Sequence, residues 1–220
     1  MKSDTKFFEL HQSGPRRIKS IPEGARKQKF HNEDFLNSMA ATWPWTSGHA
    51  LFLNEPVWWL KLGGKGADLK GISRSGRMVS IEGKRNYSRA KWPCAINQAL
   101  YGIRLLDEFS KKDDGNRLLS PFRLDLTTRP YVGILVDGFE KISASIEATI
   151  TKGFRNRIEN PEKCDWSIRK SNNNENAKNW FVEHRDLRMM IDVSLIYLTQ
   201  LEGPERSFFL EVEIRNLLMK

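Results

Sequence analysis

Cysteine is scarce in this chain of 220 residues: Cys94 and Cys164 stand far apart, and neither belongs to a CxxC pair. That argues against a disulfide framework or a structural zinc site and suits a reducing compartment, here expected to be a bacterial or phage-like cytoplasm or another reducing intracellular space. Long apolar runs are missing too. None approaches the roughly 20 residues of a membrane span, so no membrane partner is expected. The opening MKSDTKFFELHQSGPRR lacks the apolar centre of a secretory signal. The histidines, His11, His31, His49 and His184, are isolated, with no HxxxH or His–Cys grouping, and read as surface or packing residues. Gly63-Gly64-Lys65-Gly66 lacks the GxxxxGK[ST] spacing of a phosphate loop, and His184-Arg185-Asp186 comes without the glycine-rich loop or Asp-Phe-Gly of a kinase. Nothing suggests a serine or cysteine nucleophile, and no repeat is visible.

What the chain has in excess is positive charge, 36 Lys and Arg against 27 Asp and Glu, for a net +9. Such a balance favours polyanions as partners and bears on binding rather than fold. The charge is unevenly spread. Residues 1–30 hold eight basic and three acidic side chains, and residues 61–91 hold nine against two. With 39% hydrophobic and 29% charged residues the composition is that of a globular domain able to bury one core. Residues 1–29, with Gly14, Pro15, Pro22 and Gly24 and no sustained periodicity, read as a basic N-terminal arm, leaving 30–220 as a single domain.

Along that domain, NEDFLNSMAATW spaces Phe35, Met39 and Trp43 as a helix does; Asn32 can cap it, and Glu33 and Asp34 suit its positive end. LFLNEPVWWLKL reads as short strand pieces. Trp43, Trp45, Trp58 and Trp59 crowd this region, either as base-stacking platforms or, the reading composition favours, as packing. ADLKGIS and RMVSIEGKR read as two strands joined by a turn at Gly76. KWPCAINQALYGIRLLDEFSKK is a helix with Pro93 in its first turn and a stripe through Ile96, Leu100 and Ile103. RPYVGILVDG reads as a buried strand, ISASIEATI as a further strand, the polar run through Asn172-Asn173-Asn174 as a long loop or insertion, and MIDVSLIYLTQL with SFFLEVEIRNLL as a closing hairpin or strand–helix pair.

The chemistry concentrates in Gly63–Lys91. Asp68 lies on one strand of the hairpin, and Glu82 and Lys84 share one face of the other. Phosphodiester hydrolysis needs an activated water, neutralisation of charge on the phosphoryl oxygens and help for the leaving oxygen. A hard cation such as Mg²⁺, held by two carboxylates, serves all three, with Mn²⁺ a possible substitute. Asp68 and Glu82 are the candidate ligands, and Lys84 the residue that orients or deprotonates the water. Lys65, Lys70, Arg74, Arg77, Arg85, Arg89 and Lys91 are the candidate contacts to a nucleic-acid backbone.

The D-x13-E-G-K pattern and the element order around it resemble the PD-(D/E)XK, or restriction-endonuclease-like, nuclease superfamily, with Ala67 where the family name has proline. The resemblance covers roughly residues 30–138: helix 32–43, strands 57–62, 67–73 and 77–85, helix 93–111 and strand 131–137. It implies an α/β fold with an α-β-β-β-α-β core, a central mixed sheet flanked by helices, and residues 139–220 as a C-terminal extension. It further implies that Asp68 and Glu82 ligate the metal with the Gly83 carbonyl, that Glu33 extends the site, and that Lys84 is the catalytic lysine. Gln98 matches a glutamine some subfamilies carry on the following helix, although Tyr101 falls three residues on rather than four.

The expectation is therefore a Mg²⁺-dependent nuclease, a hydrolase acting on ester bonds, most readily a DNA endonuclease with RNA left open. A homodimer or larger nuclease complex is the assembly the resemblance allows. The competing expectation is a catalytically silent nucleic-acid-binding or assembly subunit on the same fold. A weaker third is an accessory module whose C-terminal region binds a partner.

Overall fold

The computed structural model describes residues 3–41, 51–53, 55–62, 66–85, 91–112, 124–125, 127–168 and 175–218. Its strands are β1 (Ser3–His11), β2 (Gly14–Ile18), β3 (Arg26–Gln28), β4 (Val57–Trp59), β5 (Leu69–Ser73), β6 (Met78–Lys84), β7 (Tyr131–Asp137), β8 (Asp192–Glu202) and β9 (Phe208–Asn216). Its α-helices are α1 (Glu33–Ala41), α2 (Trp92–Ser110), α3 (Ala144–Glu159), α4 (Glu175–Glu183) and α5 (Arg185–Met189). The class is α/β. A nine-stranded mixed sheet runs in the order β2-β1-β9-β8-β7-β6-β5-β4, with β3 added alongside β8. β6, β7 and β8 are parallel neighbours and every other pairing is antiparallel.

Alternation on the central strands divides the core into two. Val79 and Ile81 of β6, with Leu135, Ile196 and Leu198, face the side where α1, Phe30 and Phe52 pack. Ile72, Met78, Ile134 and Leu195 face the side covered by α2, α3 and α4. Both faces of β6 are thus dry, as expected for a strand inside a parallel layer. A fully buried Ile or Leu there contributes about 1.5–3 kcal/mol.

α2 sits where its stripe required. Ala95, Ile96, Ala99, Leu100, Ile103 and Leu106 are buried, and Ser80 Oγ donates to the Ala99 carbonyl at 2.6 Å, fixing the helix on β6. α1 starts at the expected cap: Asn32 Oδ1 accepts from the Phe35 N–H at 2.7 Å. The β5–β6 turn uses Gly76 at φ 84, a conformation that glycine adopts without strain. Trp43, Trp45 and His49 lie outside the described residues, as do Asn172-Asn173-Asn174.

Three expectations need correction. Residues 3–28 are not a detached arm: β1 pairs with β9 from Ser3↔Arg215 to Glu9↔Phe209, β2 pairs with β1, and β3 with β8. The stretch expected as a strand at ISASIEATI belongs to α3, capped by Ser143, whose side chain accepts from the Ile146 N–H; Ile150, Phe154 and Ile158 then recur at helical spacing and are buried. Part of the polar run after it is ordered as a 3-10 turn (Pro161–Lys163) and by α4. The C-terminal pair is a hairpin, β8 against β9. No described helix is long and apolar enough to cross a membrane.

Candidate active site

Strand pairing carries the candidate residues to one corner. Glu82, Gly83 and Lys84 end β6 opposite Ile134, Leu135 and Val136 of β7, at the carboxyl end of the parallel layer, where ligands of open α/β sheets commonly bind. Antiparallel pairing of β5 with β6 sets Leu69 against Ile81, so Asp68 arrives beside the same end. Its Oδ2 accepts from the Gly83 N–H at 2.9 Å. α1 passes over this corner and contributes Glu33, whose Oε1 lies 3.1 Å from Lys84 Nζ and whose Oε2 accepts from the Arg85 N–H at 3.3 Å.

Lys84 is the hub. Its ammonium stands 2.5 Å from Glu82 Oε1 and donates to the Gly83 carbonyl at 2.8 Å. Glu82 is fully buried, and its Oε2 makes no hydrogen bond among the described residues. Burial first, then the charge of Asp68, pushes the Glu82 carboxyl up to about 8, against the pull of Lys84. Burial and the charge of Glu33 also raise the Asp68 carboxyl, opposed by the Gly83 N–H, Lys84 and the Asn37 side chain. Burial would lower the Lys84 ammonium, but Glu82, Glu33 and Asp68 together hold it above its ordinary value. Three carboxyl groups thus converge on one paired ammonium.

The charge pattern of the sequence divides differently in space. Arg74 and Arg77 lie at the turn end of the hairpin. Seven residues of strand, roughly 23 Å, separate Arg77 from Lys84, more than two screening lengths at physiological salt. Arg77 is engaged there: it donates to the Arg129 carbonyl, pairs with Asp192 and lies over the Tyr131 ring at 5.0 Å. Lys70, expected among the backbone contacts, is 6% exposed, donates to the Ala67 carbonyl at 2.5 Å and has its ammonium lowered by burial. Arg85 and Lys91 are at the carboxyl end or on the approach to α2 and are half-buried and exposed, respectively. Lys65 and Arg89 lie outside the described residues.

Gln98 is half-buried on α2, where its Oε1 lies 3.3 Å from the Cys94 thiol rather than at the Glu82–Lys84 ion pair. Tyr101 takes the Arg104 guanidinium over its ring at 4.9 Å. A residue not expected from sequence is Asn37. It is buried on α1, bonds through its side chain to Asp68, and fills the space Gly83 leaves open. The signal was present, since Asn37 stands four residues after Glu33 and so shares its helix face. Beside this corner is a cavity of about 370 Å³, lined by Asp34, Asn37, Ser38, Trp59, Lys61 and Asp68, among others.

Among the described residues no group of three His, Cys, Asp or Glu side chains is already gathered at metal-binding distance. The donor set nevertheless fits a hard cation. It is all oxygen, it carries more negative than positive charge, and it includes a buried carboxylate oxygen with no hydrogen-bond partner among the described residues. Comparison with protein-family models, with curated proteins and with solved structures gave no match.

Proposed function

We propose that this chain is a Mg²⁺-dependent nuclease, an endonuclease acting on DNA, with Asp68 and Glu82 as metal ligands and Lys84 as the catalytic lysine. One observation carries the reading: Asp68, Glu82 and Glu33 converge on a single ammonium, Lys84, at the carboxyl end of β6. Glu82 is fully buried in this cluster, beside the more open Asp68 and Glu33, and a buried carboxylate that faces further negative charge is costly unless a cation shares it. The order α1-β4-β5-β6-α2-β7, with β4, β5 and β6 antiparallel and β7 parallel to β6, agrees with the α-β-β-β-α-β core of the PD-(D/E)XK superfamily and supports the same reading.

Asp68 and Glu82 would hold the metal, with Glu33 at its margin. Bound Mg²⁺ supplies Lewis acidity at the phosphoryl oxygens and lowers the pKa of a coordinated water. The chain's own groups orient and neutralise. The Gly83 N–H and Asn37 fix the Asp68 carboxylate. Lys84, kept protonated by its carboxylate neighbours, is a cation placed to hold the attacking water or the scissile phosphate rather than to remove a proton. The Gly83 carbonyl accepts from Lys84 with one lone pair and keeps a second with which it could serve as a third ligand. Arg85 and Lys91 are the backbone contacts on this side of the sheet, and Gln98 enters only through the family resemblance.

Purified protein should cut supercoiled and linear DNA with Mg²⁺ or Mn²⁺ and not in EDTA. Glu82→Ala and Lys84→Ala should each abolish cutting while retaining most DNA binding. Undiminished cutting by both variants would overturn the assignment. Salt-sensitive binding without metal-dependent cleavage would identify a binding or assembly subunit instead.

A further inference from the structure

The cavity beside Asp68 shares Asp68 and Asn37 with the chemistry above, and its other lining residues have no part in that chemistry. β4 and the residues after it contribute Trp59, Leu60 and Lys61; β5 and its approach contribute Asp68, Leu69 and Lys70; α1 contributes Asp34, Asn37, Ser38 and Ala41. At about 370 Å³ it falls at the lower end of the range for small-ligand pockets, with room for one nucleotide unit rather than a base pair. Its walls differ in character. The strand side offers an indole and two leucines, a surface for a base of any sequence. The helix side offers the exposed Asp34 carboxylate and Ser38 hydroxyl, which match the donors and acceptors of a base edge or sugar. Lys61 is exposed on the lining. Asp68 belongs both to this lining and to the carboxylate cluster, so an occupant would be contiguous with a phosphate held at the metal.

Resting on the nuclease reading, we propose that this cavity receives the nucleotide next to the scissile phosphate in an unstacked state, so that the enzyme cuts beside an unpaired nucleotide in a single strand, flap or overhang. A paired nucleotide is stacked on both sides and can enter a one-unit pocket only by flipping out, which costs least where the base is already unpaired.

Two measurements test this separately from the nuclease assignment. The first is equilibrium dialysis of dCMP against the full chain in EDTA, where no metal bridges the phosphate. Binding is expected, and Ser38→Trp, which puts an indole into the cavity from an exposed helix position, should weaken it at least tenfold. The second is Mg²⁺-dependent cleavage of end-labelled single strand, flap and blunt duplex. Single strand and flap should be cut at least tenfold faster than duplex interior, and Ser38→Trp should lose that preference while Mn²⁺ still binds. Should Ser38→Trp not fold, Lys61→Glu at the exposed rim gives the same readings. Equal cutting of duplex and single strand, or a Ser38→Trp protein that binds dCMP like the parent, overturns the pocket and leaves the nuclease reading standing. Binding of dCMP that the variant loses, with no cleavage of any substrate, retains the pocket and removes the nuclease. Failure of both binding and cleavage removes both.

Discussion

Asn37 presses on Gly83 so closely that a β-carbon built at residue 83 would stand 2.0 Å from Asn37 Oδ1. The contact joins α1 to the end of β6 at the point where the Gly83 N–H and the Asn37 side chain both hold Asp68. A glycine is required here by close approach, not by backbone conformation.

Gly83→Ala should therefore destabilise the fold by about 1–3 kcal/mol, the usual cost of overpacking a dry contact. Urea denaturation measures it. Asn37→Ala in the same chain should return part of that loss, because it removes the atom that clashes; a coupling of about 1 kcal/mol is expected for residues in direct contact. Strict additivity of the two substitutions would mean that the contact does not carry the effect. Activity should not recover in the double variant, since Asp68 has then lost one of its supports.

Metal addition should raise the melting temperature. A ligand at a hundred times its Kd stabilises by about 2.7 kcal/mol, which for a chain of this size is a shift of roughly 5–10 °C. Glu82→Gln and Asp68→Asn should abolish the Mg²⁺ shift, and Glu82→Gln should raise the metal-free melting temperature, because it removes a buried carboxyl whose ionisation burial opposes. A Mg²⁺ shift of full size in both variants would place the cation elsewhere.

Much of the corner was legible because local rules and pairing agreed there. Asn32 capped a helix as its chemistry predicts, the α2 stripe lies buried, and Asp68, Glu82, Lys84 and Glu33 come together as their positions on a helix and a hairpin suggest. What was not legible depended on distant partners. β1 was hidden because it is mostly half-buried or exposed, with no clear alternation of covered and open positions, and the strand that satisfies its backbone, β9, lies at the other end of the chain. In α3 the alternation of ISASIEATI masked the spacing of Ile146, Ile150 and Phe154, which becomes decisive only once Ser143 is recognised as a cap. The basic cluster misled for a geometric reason: residues adjacent across a hairpin sequence, such as Arg77 and Lys84, occupy opposite ends of one strand.

Glu213 provides a pH-dependent test away from the candidate site. Burial alone would raise its carboxyl, but Lys141 at 2.7 Å and Arg215 at 2.7 Å bring it below the ordinary value of 4.5. Arg215 also reaches Glu147 of α3 at 2.7 Å, so the cluster ties β9 to that helix. A depressed carboxyl contributes stability above its unfolded pKa and loses it as pH falls through the folded one. Glu213→Gln should cost about 1.5–3 kcal/mol at pH 7, the range for charged hydrogen bonds, and the gap from the parent should close below pH 4.5, where the unfolded and then the folded carboxyl take up protons. Melting curves from about pH 3 to about pH 7 read the difference directly. A gap independent of pH would assign the loss to packing.

Removing residues 1–18 distinguishes a structural N-terminus from a binding arm. β1 satisfies the edge of β9 through a ladder from Ser3↔Arg215 to Glu9↔Phe209, and its Phe8 and Leu10 pack against the part of the core that holds Leu210 and Val212. Without it β9 presents an unpaired edge, with Leu210 and Val212 losing neighbours, a combination that promotes association between chains. The truncated protein should melt well below the parent and elute as oligomer or aggregate in size-exclusion chromatography. An arm that served only to bind polyanions would behave otherwise: its removal would leave the melting temperature unchanged and lower the salt dependence of DNA binding. The truncation removes Lys2, Lys6, Arg16 and Arg17, enough basic charge for that second effect to be measured in the same preparation, so each outcome has its own signal.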